Sequence, residues 1–172
     1  MNTSSGFWSN FVWLFIIIVA VLFEATWLQA LSIQQVIPDI VLMLTVYFSI
    51  TEGAERGMYT GFVGGIFQDV AANTGVGHHA LCLVLIAYVI GRMATRLITN
   101  NPYVKTMTVL LASIVQGILY LMIEYVQKVD LESMYTMSYA IMPRAFYTAC
   151  VTPIIFYVLL RVRGESISGS IQ

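Results

Sequence analysis

The chain has 172 residues, 59% hydrophobic and only 10% charged, with a mean hydropathy of +0.82. A soluble domain is about a quarter charged, so this composition lacks the polar surface to face water all round and excludes a soluble domain with an activity of its own. A net charge of −1 supplies no basic face, which excludes nucleic acid as a partner.

A bilayer crossing takes about 20 apolar residues. The sequence predicts six such segments, at 11–31, 37–51, 55–72, 79–97, 103–126 and 139–161, and hence an all-α polytopic membrane bundle of six transmembrane helices. The first reads as a retained helix: no Lys or Arg precedes it, its apolar run is long, and no A-x-A site follows. The second and third are short and carry polar or glycine-rich content, so a count of five, with these two merged, is the alternative. Punctuation supports six. Pro38 and Pro102 stand where proline opens a helix, Asn100 and Asn101 offer caps, and Asn73, Gly75 and Gly77 break the chain before the fourth segment. The stretch 127–138 is the longest connection and a candidate for a short interfacial helix. Residues 1–163 read as one transmembrane domain and 164–172, rich in Gly and Ser, as a disordered cytoplasmic tail.

The basic residues set the orientation. With both termini in the cytoplasm, Arg56, Arg92, Arg96, Lys105, Arg161 and Arg163 lie inside, and Lys128 and Arg144 outside. Trp8 and Trp13 then fall near the inner interface and Trp27 near the outer one. Arg92, Arg96 and Lys105 form a cytoplasmic basic patch, explained either by the positive-inside rule alone or by contact with anionic lipid or a filament partner.

In that frame Glu24, Asp39, Asp69, Glu124 and Arg144 gather in the outer half of the bundle. A charge at the bilayer centre costs about 2.5–3.5 kcal/mol, so such groups turn inward and pair. Either they form a pocket or docking site open to the outer face, or Arg144 holds Asp39 or Asp69 in a structural network while the other acids reach the interface. Gly53, Gly57, Gly61 and Gly65 recur every four residues, with Gly64 beside them and Asp69 at the next step. Small residues at that spacing make a groove for a close helix neighbour, within the bundle or from a partner. Four residues overshoot one turn of 3.6, so the row wraps around the helix.

His78 and His79 are neighbours about 100° apart on a helix and form no chelating face; they read as loop or helix-start residues. Cys82 and Cys150 each stand alone in apolar runs and read as small hydrophobes. No nucleophile elbow, H-E-x-x-H or phosphate loop is present, so neither catalysis nor a metal or cofactor is expected. Pro143 sits near the expected start of the last helix, and Pro153 should kink it with help from Thr148 or Thr152.

Two patches carry a family resemblance. One is Pro38-Asp39 followed by an apolar run. The other is Gly57-x-x-x-Gly61-Phe62-x-x-Gly65-x-x-x-Asp69, with Gly91-Arg92 at the end of the next segment. In these, and in its size and six-segment plan, the chain resembles the rod shape-determining protein MreD family of bacterial inner-membrane proteins. The resemblance implies a non-catalytic scaffold of the rod complex, or elongasome, supporting lateral peptidoglycan synthesis. Its implied partners are the bitopic protein MreC and, through it, the actin-like MreB filament, with the SEDS glycosyltransferase RodA and a class B penicillin-binding protein in the same complex. The family is similar in fold to the S-components of energy-coupling-factor transporters, which implies a cavity toward the outer face. That likeness supplies a second reading, a substrate-binding subunit of a small-molecule, vitamin-type transporter. Against it, Ala20, Ala25 and Ala30 do not share one docking face.

Overall fold

One short helix buried on every side forms the centre of the bundle, and the other helices are arranged around it. The computed structural model describes residues 3–26, 37–72, 77–97, 102–127 and 131–162. These form six helices in chain order: α1 (Thr3–Thr26), α2 (Ile40–Thr51), α3 (Ala54–Ala71), α4 (His78–Leu97), α5 (Pro102–Val126) and α6 (Leu131–Val162), with no strand among the described residues. The expected tail 164–172, Arg163, Trp27, Lys128, Asn73, Gly75, Asn100 and Asn101 lie outside the described residues, as do the side chains of Trp8 and Arg96.

The central element is α2. Every residue from Ile40 to Ser49 is buried, as a helix without a polar face must be. It touches all five other helices. Asp39 opens it by accepting from Leu42 N (2.8 Å), and Glu52 N closes it on Phe48 O (2.9 Å). Ser49 hides its hydroxyl on Thr45 O (2.6 Å). Around α2 pack Ile17 and Val21 of α1, Leu83, Ile86 and Ile90 of α4, Val109 of α5, and Phe156 and Leu159 of α6. Tyr47 meets Phe156 edge-to-face at 5.3 Å.

The glycine row explains how α3 fits beside this core. A Cβ on Gly57 would strike Ser49, and one on Gly64 would strike Val41, both of α2. On the other side a Cβ on Gly61 would lie 3.0 Å from the Leu83 backbone, and one on Gly65 would enter the backbone of Ala80, both of α4. Gly91 of α4 returns the contact against Ala54 at the start of α3. The groove expected at these glycines is therefore filled by the chain's own α2 and α4, antiparallel to α3 on both sides. Gly53 does not join the row. It precedes α3 with φ +92°, a turn conformation that disfavours any side chain.

Four of the predicted segments agree with α2 to α5 within three residues at each end. The last does not. Residues 131–138, expected as part of a connection, are the first turns of α6. Pro143 is consequently well inside α6, like Pro153, and not near its start. Thr152 Oγ1 bonds to Thr148 O (2.8 Å) beside Pro153. Two described helices, Tyr103–Val126 and Met137–Arg161, are long and apolar enough to cross a membrane. At 1.5 Å per residue, α2 is only about 18 Å long, short of the ~30 Å hydrocarbon core, and α3 carries Glu55, Arg56, Gln68 and Asp69. Large apolar side chains such as Phe15, Leu22, Leu81, Leu111, Met122 and Ile154 point outward from the rim helices.

The α3–α4 contact is backbone against backbone, so neither side can yield by changing a rotamer. Gly65→Val should lower stability by about 3 kcal/mol or more, read as a large drop in melting temperature in detergent. Gly64→Ala, which collides only with the Val41 side chain and not with backbone, should cost distinctly less.

Candidate functional site

The buried acids, amides and histidine of the bundle converge on one end, where α2 and α4 begin and α1, α3 and α5 finish. Asp39 is their hub, its side chain fully buried. Oδ1 accepts from Leu42 N (2.8 Å) and from Gln68 Nε2 of α3 (3.1 Å). Oδ2 accepts from Gln116 Nε2 of α5 (2.9 Å) and Arg144 Nη2 of α6 (2.9 Å). The Asp39 backbone N–H donates to Thr148 Oγ1 of α6 (3.2 Å). Both lone pairs of both oxygens are thus occupied, by groups from four helices.

Glu24 of α1 completes the arrangement. Its Oε2 accepts from Ile40 N (3.2 Å) and Val41 N (3.3 Å), and its Oε1 from Gln68 Nε2 (2.9 Å). Two carboxyl side chains therefore cap the first three N–H groups of α2. The Gln68 amide bridges them.

Asp69 makes a separate set. Its Oδ2 accepts from Gly77 N (2.7 Å), and its Oδ1 from His79 N (2.9 Å) and His79 Nδ1 (2.8 Å). It ties the end of α3 to the start of α4 and accepts throughout, so His79 Nδ1 carries the proton. Beside it, Gln127 Nε2 donates to His78 Nε2 (2.6 Å), and His78 Nδ1 lies 3.7 Å from Glu124 Oε1. The His79 ring also lies against Tyr120 of α5, tilted by 41° with centroids 4.7 Å apart.

The five charged residues expected together do share one end, in two adjoining sets. Arg144 pairs with Asp39, and Asp69 pairs with His79 and not with Arg144. A carboxylate already saturated by a neighbouring imidazole and two backbone N–H groups has no need of the arginine. Gln68, Gln116, Thr148 and His79 were missed as members. The available signal was an amide inside an apolar run: Gln116 interrupts the hydrophobic stretch of α5, and buried polar groups there demand partners. Of the family motif, Pro38 and Asp39 lie at the start of α2, Asp69 at the end of α3, and Phe62 is exposed.

At the other end Trp13 Nε1 donates to Thr60 Oγ1 (2.9 Å), and its ring lies under the Arg56 guanidinium (4.6 Å). Arg56 also pairs with Glu52 (3.2 Å). Arg92 and Lys105 fall at this end as well, with Arg92 over the Tyr88 ring (5.7 Å). Cys82 is buried and Cys150 is exposed. Among the described residues no group of His, Cys, Asp and Glu is placed to hold a metal.

Arg144→Ala would leave Asp39 buried without its cation, a change worth about 3–5 kcal/mol. Thermal denaturation in detergent should show that loss. The double variant Asp39→Ala/Arg144→Ala should lose less than the sum of the two single changes. An Arg144→Ala protein melting like the parent would remove the hub from this account.

No curated protein and no solved structure matches the chain. The family model for the rod shape-determining protein MreD matches residues 5–163, which takes in the whole bundle from the first turn of α1 to the end of α6. That family comprises membrane proteins with a structural part in shape determination and is not a known enzyme family. With the match extending over all six helices, this chain belongs to the MreD family.

Proposed function

We propose that the protein is a non-catalytic scaffold of the bacterial rod complex, embedded in the inner membrane by six helices with both termini in the cytoplasm. It binds MreC and through it links the MreB filament to RodA and a class B penicillin-binding protein. Family membership over residues 5–163 carries this reading. The chemistry of the acids supports it. Glu24, Asp39 and Asp69 each accept from backbone or side-chain donors that hold helices together, an arrangement suited to rigidity. The fold similarity to S-components, and residues 1–163 as one domain, belong to the same proposal.

The orientation supports it too. The Asp39 end is the outer one in this proposal, and the end with Arg56, Arg92, Lys105 and Arg161 is cytoplasmic, as the positive-inside rule requires. Because the glycines of α3 are occupied internally, the docking surface for MreC lies on the outward faces of the rim helices. Depletion in a rod-shaped host should give wider, rounded cells, and the tagged protein should co-purify with MreC. Unchanged cell width would overturn the reading. Capture of an ATPase-coupled transporter in place of MreC would favour the substrate-binding subunit instead.

A further inference from the structure

Both fully buried aspartates of the polar end hold a side chain that lines the same cavity. Asp39 holds Arg144, whose side chain is 38% exposed. Asp69 holds His79, 12% exposed. The cavity, about 240 Å³, lies between α5 and α6, with Ala72 after α3 and His79 of α4 in its wall. Ser113 and Gln116 of α5 add polar wall, while Met137 and Ile141 of α6 add apolar wall.

The two pairs leave complementary chemistry facing inward. A guanidinium carries five N–H donors in a fork, and Asp39 takes one of its nitrogens. The remaining edge can grip an oxyanion by two parallel bonds. Asp69 fixes His79 Nδ1 as a donor, so its Nε2 is left as an acceptor for a hydroxyl hydrogen. An aspartate behind an arginine and another behind a histidine orient both groups without filling their outer faces. Volume limits the guest. Sites for whole drug-sized ligands run to about 300–1,000 Å³, so this cavity takes a group and not a complete vitamin-sized molecule. The apolar wall on α6 suits the part of the guest that adjoins the headgroup.

We propose that the cavity is a binding site for a phosphate bearing a neighbouring hydroxyl, with the oxyanion on Arg144 and the hydroxyl on His79. A glycerol-phosphate lipid headgroup and a free phosphate both carry the recognised oxyanion. The site requires that the bundle lie in a membrane but is independent of the protein partners proposed above, so failure of one leaves the other standing.

The test uses the full chain in nanodiscs of phosphatidylcholine, titrated with phosphatidylglycerol or with inorganic phosphate and followed by native mass spectrometry. One phosphatidylglycerol should be retained per chain in preference to phosphatidylcholine. Arg144→Lys keeps a cation for Asp39 but loses the fork. Ala140→Phe fills the cavity and leaves both aspartate pairs in place. Each should weaken retention about tenfold, the worth of one charge-assisted bond, in protein whose melting temperature confirms that it is folded. Displacement of the lipid by inorganic phosphate assigns the recognition to the oxyanion alone. Retention insensitive to inorganic phosphate but lost in Ala140→Phe assigns it to the lipid headgroup. Equal retention in the parent and in folded Ala140→Phe, or no preference for phosphatidylglycerol at all, overturns the site.

Discussion

One buried carboxylate sets the geometry of this bundle. A carboxylate withdrawn from water is tolerated only when its lone pairs are satisfied. Asp39 achieves this with its own helix and with donors from α3, α5 and α6, while Glu24 brings in α1 over the same helix end. Such a network adds little net stability over apolar packing, but it makes misplacement expensive. Sliding α6 by one turn would strand Arg144 and Asp39 together. In lipid, where the hydrophobic effect does not sort one helix from another, a directional polar centre specifies which helices meet and at what height.

The glycines of α3 supply the second half of the specification. They allow α3 to approach α2 on one side and α4 on the other until backbones touch. That proximity lets Gln68 reach two carboxylates at once and lets Asp69 reach across to the first turn of α4. Polar centre and glycine seam therefore depend on each other. The first needs short distances, and the second provides them.

Most of the fold was legible in the sequence because a long apolar run ended by Pro, Gly or Asn has few alternatives to a helix. The start of α6 was not, since 131–138 mixes Glu132, Ser133, Thr136 and Ser138 with tyrosine and methionine and resembles a connection. The charged members of the site and their shared end were also legible, because an ionised group in an apolar helix stands out. How they pair was not. Asp69 chooses His79 over Arg144 through a turn at Gly77, whose φ of +106° brings two backbone N–H groups to the carboxylate. Spacing alone does not reveal such a turn. The amides Gln68 and Gln116 were overlooked for a simpler reason: an uncharged polar residue looks harmless until the hydrogen bonds it must make are counted.

The distance along the chain between the two halves of the central ion pair has a consequence for biogenesis. Asp39 and Arg144 are 105 residues apart. At synthesis rates of about 5–20 residues per second, the acid is made roughly 5–20 s before its cation. During that interval Asp39 at the head of α2 lacks the guanidinium that its buried carboxylate meets in the folded bundle. The polar centre is complete only once α6 has been made. A chain that stops before α6 carries an unanswered charge at its heart, which marks it as unfinished.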